Sequence, residues 1–292
     1  MTLSLAHLGP PGTNAETVAL VYGDRHHRHT GETPQLCPYP TIAQSLKAVA
    51  AGQVDLAIVP VENSIQGTVA ISLDALWELD GLVIQQALIL PIHHVLVSCA
   101  SGLATVKTVY SHPQALAQCQ HWLDTHLPQA QQLASNSTTE ALVYLREDPT
   151  VGAIAAPRAA QLYQLPILAD AINDYPDNCT RFWVVGRNPG VPGDHISLAF
   201  STAANVPGAL VQPLQVFAER GINLSRIESR PTKRSLGEYL FFIDLNGNAG
   251  ADSVQAALTV LPQYTEVLKI FGCYGVSHIL PEELNQNPVA HP

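Results

Sequence analysis

The sequence predicts an α/β protein built from two units, and three observations lead to this prediction. From Leu3 to about Gly186, short apolar runs alternate with segments of helical periodicity, which is typical of a sheet covered by helices. Residues 187–194, RNPGVPGD, contain two Pro and two Gly and are typical of a linker. Beyond the linker, a shorter stretch carries its predicted elements in a different order, βαββαβ.

In the first unit, apolar runs of strand length alternate with amphipathic segments of helix length. The predicted strands are residues 54–61, 81–91, 93–99, 105–111, 151–156 and 181–186. The predicted helices are residues 14–23, 42–52, 72–80, 113–126 and 137–147. Because the two types of element alternate, we expect an open sheet that binds ligands at the carboxyl ends of its strands.

The second unit begins with a predicted strand, HISLAFST, at residues 195–202. A helix follows through residues 206–221, with Asn205 as its N-cap and Gly221 at its end. The remaining predicted elements are strands 222–231 and 238–247, a helix 251–262 and a strand 265–275. This order is that of a ferredoxin-like domain. Residues 281–292 are polar and lack periodicity, which predicts a flexible tail.

The composition limits the possible partners. With 47% hydrophobic residues the chain can bury a full core, and its net charge of −10 argues against nucleic acid or an anionic membrane as a partner.

The five cysteines lack CxxC spacing, so we expect neither disulfides nor a zinc ribbon, and a reducing cytoplasm fits. The N-terminus does not resemble a signal peptide, and no apolar stretch is typical of a membrane span. The HHRH run at 26–29 lacks further ligands at metal-binding spacing, so we expect no metal site.

Four polar or glycine-containing stretches directly follow predicted strands, where open α/β sheets bind ligands. They are residues 8–17, 59–69, 110–119 and 135–142. Helix N-termini at such positions present free backbone N–H groups to anions, which suits a chain poor in cations. The alternative for each stretch is ordinary helix capping, with Ser111 before Pro113 as one candidate N-cap. Glu62 and Asn63 favour a functional site most, since a carboxylate after an apolar strand is costly to bury without a purpose.

The stretch DNCTRFWVV, residues 177–185, places Thr180 and Arg181 at the entrance of an apolar strand. An Arg in this position is either an exposed surface charge or a clamp for an anion. Cys179 has no partner His at a marked spacing, so a small packed side chain is favoured over a nucleophile. Dinucleotide, ATP and acyl-hydrolase motifs of the GxGxxG, Walker A and GxSxG types are absent from the sequence.

Taken together, these stretches resemble prephenate dehydratases that carry a regulatory ACT domain, enzymes of phenylalanine biosynthesis. The resemblance covers nearly the whole chain and rests on LGPPGT, VDLAIVPVENSIQGTV, VYSHPQALAQC, ASNSTTEA, AINDYPDNCTRFWVVG, GAL and GINLSRIESRP. It implies a two-lobed catalytic domain at residues 1–188, like a type II periplasmic binding protein, and an ACT domain at residues 194–280. One departure is Asn14, where the family usually carries an aromatic residue.

The resemblance implies an active site in the cleft between the lobes. The implied catalytic residues are Thr180, Arg181, Phe182 and Glu62. The implied substrate-binding residues are Thr13, Asn63, Ser64, Ser111, His112 and Thr138. The implied effector site for L-phenylalanine, between paired ACT domains, consists of Gly208, Ala209, Leu210, Asn223, Leu224, Glu228, Ser229, Arg230 and Pro231. Free sheet edges favour a homodimer or homotetramer, and the alternative is an ACT domain that only dimerises.

The chemistry of prephenate assigns roles to some of these residues. Loss of CO2 and hydroxide makes the ring aromatic, so we expect no cofactor. Arg181 or helix N-termini would hold the pyruvyl carboxylate, and the Thr180 hydroxyl would donate a hydrogen bond to the departing oxygen. Because threonine is a weak acid, water or Glu62 would relay the proton. Phe182 would form an apolar wall of the site, with plain core packing as the alternative.

Two other functions fit the sequence. An arogenate dehydratase would perform the same chemistry on the amino-acid form of the substrate. A non-catalytic amino-acid sensor would combine a binding cleft with an ACT domain, but it would leave Thr180 and Glu62 without a role. The two units fill residues 1–292, so we expect no fused chorismate mutase or dehydrogenase.

Overall fold

The computed structural model describes residues 2–135, 142 and 145–285. Up to residue 91, the chain builds most of a large lobe. Its elements are β1 (Ser4–Leu8), α1 (Asn14–Thr30), β2 (Gln35–Tyr39), α2 (Ile42–Ala50), β3 (Leu56–Asn63), β4 (Gly67–Thr68), α3 (Ala70–Glu78) and β5 (Val83–Pro91). Helix α1 extends beyond the predicted 14–23 and ends at Gly31, whose φ of 79° suits a left-handed C-cap.

The chain then crosses into a small lobe and returns to the large lobe. The elements are β6 (Val95–Ser98), β7 (Thr108–Ser111), α4 (Pro113–Gln118), α5 (Gln120–His126), β8 (Gln131–Ala134), β9 (Val151–Ala155), α6 (Pro157–Leu162), β10 (Ile167–Ala169) and the returning β11 (Cys179–Gly186). In the described part of the chain, the small-lobe sheet has five strands in the order β10-β6-β9-β7-β8. The predicted helix 113–126 is two helices, because the backbone at Cys119 (φ −124°) is not helical. The predicted helix 137–147 lies partly outside the described residues.

The second unit follows the βαββαβ order predicted from the sequence. Its elements are β12 (His195–Ser201), α7 (Val211–Ala218), β13 (Asn223–Pro231), β14 (Tyr239–Asn246), α8 (Asp252–Val260) and β15 (Val267–His278). The prediction of Asn205 as the N-cap of α7 is wrong, since the helix begins after Leu210. Gly208, with φ of 85°, adopts a left-handed conformation that a helix through this position would not allow.

Among the described residues, ten strands form one sheet that runs through the large lobe and the second unit. The order is β13-β14-β12-β15-β5-β11-β3-β1-β2, and β4 pairs with β3. Strand β15 joins the two parts, because residues 267–274 pair antiparallel with β12 and its last four residues pair parallel with β5. The second unit therefore lies directly beside the strands that carry the predicted site.

The predicted tail begins with a short helix, α9 (Pro281–Asn285). Glu283 in this helix accepts two hydrogen bonds from the Arg25 guanidinium, at 2.7 and 2.8 Å. These bonds lower the pKa of Glu283 to about 2. Residues 286–292 lie outside the described residues. None of the helices in the described ranges has both the length and the hydropathy needed to cross a membrane.

Candidate active site

A cavity of about 890 Å3 lies between the two lobes. The carboxyl end of β3, the start of β11 and the loop before α1 line it from the large lobe, and the start of α4 lines it from the small lobe. The predicted site residues that line the cavity are Thr13, Asn63, His112, Thr180 and Phe182. The cavity therefore lies at strand ends, as expected for an open α/β sheet.

The Thr180 hydroxyl is held as a hydrogen-bond donor to the cavity. Thr180 pairs with Asn63 across the antiparallel strands β11 and β3. The Oδ1 atom of Asn63 accepts the backbone N–H groups of Ile65 and Gln66 at 3.0 and 3.1 Å, so its Nδ2 group must be the donor to Thr180 Oγ1 at 3.0 Å. Since Oγ1 accepts this bond and has no acceptor for its own proton among the described residues, the proton is available to a ligand.

Phe182 lies on the same face of β11 as Thr180, because side chains two residues apart point to one side of a strand. Its ring is 2% exposed and packs with Leu88, Leu90 and α1 residues while also lining the cavity. The Phe182 ring therefore forms part of the apolar wall of the cavity and also packs in the core.

Arg181 and Glu62 lie on the face of the sheet opposite to Thr180 and Phe182. The two residues pair across β11 and β3, and Arg181 Nη1 lies 3.6 Å from Glu62 Oε2. The same Nη1 atom donates to Asp244 Oδ2 of β14 at 3.2 Å. Neither residue is among those that line the cavity. In this structure Arg181 therefore pairs with Glu62 and Asp244 away from the cavity, and the predicted roles of Arg181 as a clamp and of Glu62 as a proton relay stay predictions.

Asp244 is the centre of a buried polar cluster between the large-lobe sheet and the second unit. Its side chain is 2% exposed, accepts the Ser197 hydroxyl at 2.6 Å and lies 3.5 Å from Arg226 Nη1. The Arg226 guanidinium also lies over the Trp183 ring, 5.7 Å from its centroid. Burial, followed by the negative charge of Asp244, raises the pKa of Tyr274, which shares a 2.6 Å hydrogen bond with Ser197. Arg181 thus belongs to an interface between the two units.

Of the other predicted substrate-binding residues, Thr13 and His112 line the cavity, whereas Ser64 and Ser111 do not. Thr13 is the N-cap of α1, accepting from Glu16 N at 3.3 Å, so this helix begins at the cavity. His112, and not Ser111, caps α4. Ser111 is buried and donates to Ile154 O at 2.7 Å, which ties β7 to β9. Ser64 accepts from Cys179 N at 3.0 Å and supports the loop before β11 from outside the cavity. Thr138 lies outside the described residues.

Two cavity-lining residues, His94 and Gln118, were missed by reasoning from the sequence. His94 Nε2 lies 2.8 Å from Gln118 Oε1, and Asn178 Nδ2 donates to the same oxygen at 2.9 Å. Burial lowers the pKa of His94, so its ring is neutral at pH 7. Gln118 lies in the stretch VYSHPQALAQC. It was missed because it falls inside a predicted helix, where the sequence does not distinguish a cavity-lining Gln from one on the surface. Within the described ranges, no group of three or more His, Cys, Asp or Glu side chains could hold a metal ion.

The predicted effector residues divide between the two faces of β13. Ser229 and Pro231 are exposed on the outer face. Glu228 and Arg230 face inward, since Glu228 accepts the Thr68 hydroxyl at 3.0 Å and Arg230 pairs with Asp74 at 3.0 and 3.2 Å. Glu228 and Arg230 therefore contact the large lobe, and their place in the effector site stays a prediction.

Of the other seven predicted effector residues, Leu210 and Leu224 pack against the apolar core of the second unit. Gly208 and Asn223 are exposed, whereas Ala209, Leu210 and Leu224 are half-buried. A second cavity, of about 330 Å3, lies at the ends of β12 and β14, but none of the predicted effector residues lines it.

Comparisons with known proteins agree with this architecture. A family model described as prephenate dehydratase matches residues 5–190, and one described as ACT domain matches residues 197–263. The bifunctional chorismate mutase/prephenate dehydratase of Aquifex aeolicus is 38% identical over 274 residues, which cover 93% of this chain and 73% of that protein. The prephenate dehydratase of Amycolatopsis methanolica is 36% identical over 276 residues, 93% of this chain and 88% of that protein.

A solved structure of a prephenate dehydratase also matches the chain. The prephenate dehydratase of Arthrobacter aurescens, in complex with L-Phe, matches with a TM-score of 0.84 and 36% identity, covering 94% of this chain and 90% of that chain. The fold class predicted from the sequence, a two-lobed catalytic part followed by an ACT domain, is confirmed. The chain belongs to the prephenate dehydratase family.

Proposed function

We propose that this protein is a prephenate dehydratase of phenylalanine biosynthesis, in which residues 1–188 carry catalysis and residues 194–280 carry regulation. The observation that carries the proposal is the Thr180 hydroxyl, which Asn63 holds as a free donor in the interlobe cavity of a family member. A sensor would need ligand contacts only, whereas an oriented donor suits a reaction that expels an oxygen.

The reaction follows from the substrate and from these groups. The bond between the ring and its carboxylate breaks, its electron pair enters the ring system, and the bond from the ring to the hydroxyl oxygen breaks. Thr180 stabilises the negative charge that develops on the departing oxygen, and water relays a proton from the solvent to this oxygen because Glu62 faces away from the cavity. The products are phenylpyruvate, CO2 and water, and no cofactor takes part.

Three groups of the cavity suit the dianionic substrate. The free N–H groups at the start of α1, beside Thr13, favour a carboxylate. Gln118 and His112 offer polar contacts from the small lobe, and Phe182 offers an apolar surface to the ring. Because donors from both lobes hold one substrate, binding favours closure of the cleft.

Regulation by L-phenylalanine is supported by the ACT family match and by the L-Phe complex of the Arthrobacter aurescens enzyme. The proposed effector surface consists of the outward residues, from Gly208 to Leu210 and on the outer face of β13. Strand β13 is the edge of its sheet and exposes Ile227 (47%), which suits pairing with a second chain as a homodimer or homotetramer. The cytoplasm is the proposed location, in keeping with five free cysteines.

The test is product formation by the purified protein from prephenate and, in parallel, from arogenate, each with and without L-phenylalanine. The proposal predicts rapid formation of phenylpyruvate from prephenate, slower turnover of arogenate, and inhibition by L-phenylalanine. Turnover of arogenate alone would assign the arogenate reaction instead. Absence of turnover with retained binding of L-phenylalanine would indicate an amino-acid sensor.

A further inference from the structure

Two buried side chains near the cavity, His94 and Asn178, belong to a chain of hydrogen bonds whose direction is set by the backbone. The chain starts at the N–H groups of Ile65 and Gln66, which can only donate and therefore fix Asn63 Oδ1 as the acceptor. Asn63 Nδ2 is then the donor to Asn178 Oδ1, at 2.8 Å. The orientation of the Asn178 amide is fixed in turn.

The same reasoning continues into the small lobe. With its Oδ1 used as an acceptor, Asn178 presents Nδ2 to Gln118 and donates to Oε1 at 2.9 Å. His94 Nε2 lies 2.8 Å from that oxygen, so it must carry its hydrogen. His94 is therefore in the Nε2–H tautomer. Its Nδ1 atom is buried and has no hydrogen-bond partner among the described residues.

The Gln118 side chain is held through its Oε1 atom, which accepts hydrogen bonds from both His94 and Asn178. Turning its amide around would place an NH2 group against both His94 Nε2–H and Asn178 Nδ2, leaving buried donors without acceptors. The three side chains are 2–5% exposed, so the hydrogen bonds among them are largely shielded from water. Gln118 lines the cavity, and its Nε2 group has no acceptor among the residues that the structure describes.

We propose that His94 and Asn178 are positioning residues that hold the Gln118 amide with its NH2 end free to donate to the substrate anion. The inference rests on the proposed function of the cavity, because the NH2 end has a role only if an anion binds there. The hydrogen-bond chain also connects the two lobes, because it joins Asn63 of β3 in the large lobe to Gln118 of α4 in the small lobe. Binding through Gln118 is therefore coupled to the Asn63–Thr180 contact.

The first test measures the tautomer of His94 in the wild-type protein. Long-range 15N–1H correlation spectra of uniformly labelled wild-type protein, with His94 assigned through loss of its signals in His94→Gln, report the tautomer of the ring. The inference predicts a neutral ring with hydrogen on Nε2 at pH 7. A ring with hydrogen on Nδ1, or a charged ring, would overturn it.

The second test uses Asn178→Asp to reverse the direction of the hydrogen bonds between residue 178, Gln118 and His94. The carboxylate cannot donate to Gln118, so the amide turns around, its oxygen faces the cavity, and His94 changes to the Nδ1–H tautomer. We expect kcat/KM for prephenate to fall roughly 10- to 100-fold, the worth of a hydrogen bond to a charged group. Asn173→Asp is the matched control: Asn173 Oδ1 accepts the His94 backbone N–H (2.7 Å) and its Nδ2 donates to Ile92 O (2.9 Å), so this variant also loses a partly buried amide donor but leaves the bonds to Gln118 in place.

A second control separates the effect of the Gln118 amide orientation from the effect of the added negative charge. Gln118→Glu adds the same negative charge but keeps an acceptor oxygen for both His94 and Asn178, so we expect His94 to keep the Nε2–H tautomer. Equal kcat/KM values for Asn178→Asp and Asn173→Asp, or an unchanged tautomer in Asn178→Asp, would contradict the inference. A wild-type protein with the Nε2–H tautomer but no turnover of prephenate would overturn the proposed function and leave the orientation of Gln118 intact.

Discussion

Asp244 is the only carboxylate within 4 Å of both Arg181 and Arg226 among the described residues, and its removal gives the largest stability change that we expect. Arg226 is 9% exposed, and its guanidinium nitrogens make no hydrogen bond within the described ranges. In Asp244→Ala these two cations lose their counter-charge in a buried site, and Glu62, at 3.6 Å from Arg181, compensates only one of them. Loss of one partner from a buried ion pair costs about 3–5 kcal/mol.

The assay is thermal unfolding followed by circular dichroism. At roughly 2–4 °C per kcal/mol for chains approaching this size, the midpoint falls on the order of 10 °C. Asp80→Ala is the matched control, since Asp80 pairs with Lys269 at 2.6 Å but is 90% exposed, and its midpoint stays close to that of the wild type. Equal midpoints for the two variants would refute the reasoning. Partial recovery in Asp244→Ala/Arg226→Met would support it, because the double variant removes one uncompensated charge.

Three further predictions concern separate parts of the chain. The folded pKa of Glu283, about 2, lies below its ordinary value of 4.5, so its pairing with Arg25 stabilises the fold above pH 4.5 and loses this effect as the pH falls toward 2. The difference in melting temperature between wild type and Glu283→Gln is therefore full at pH 7 and vanishes near pH 2; a constant difference would contradict this. Thr68→Val deletes the hydrogen bond to Glu228, so inhibition by L-phenylalanine weakens by roughly tenfold while L-phenylalanine binding, measured by calorimetry, stays unchanged. Weakened binding would instead place the hydroxyl in the effector site. Burial raises the pKa of Cys119 to about 12, so iodoacetamide at pH 8 modifies it only after unfolding; modification in the folded protein would contradict this.

Long elements and motif positions could be predicted from the sequence, whereas short edge strands could not. The apolar runs of β3, β5 and β11 have the length and composition of buried strands, and the structure confirms them. The edge strands β2, β8 and β10 were missed, as were β1 and the two-residue β4. β2 contains Pro38 and lies at the edge of its sheet, and β10 has only three residues, so neither shows a strand pattern.

The predicted site contained an inconsistency that the sequence alone could reveal. Thr180 and Arg181 are neighbours in one strand, and neighbouring side chains point to opposite faces, so both cannot enter the same cleft. The same alternation separates Glu228 from Ser229 in β13. Applying the two-residue period to this motif would have placed Arg181 on the face opposite to Thr180.

Other parts of the site depend on tertiary structure. His94 and Gln118 are 24 positions apart, and their contact forms only when the crossing after β5 packs against the end of α4. No sequence pattern links them, because a neutral His and a Gln occur in many helices and loops without function. The direction of their hydrogen bonds also depends on Asn63, which lies in the other lobe.

The most direct test of the central claim, that Thr180 is the catalytic donor of a prephenate dehydratase, is turnover of prephenate by Thr180→Val beside Thr180→Ser. Valine removes the hydroxyl at nearly constant shape, and Asn63 Nδ2 keeps acceptors at 2.8 and 3.2 Å, so the fold is retained. Loss of one donor that acts in the transition state lowers kcat by about 10²–10³-fold. We predict this loss for valine and near wild-type kcat for serine, whereas wild-type turnover by Thr180→Val would contradict the account.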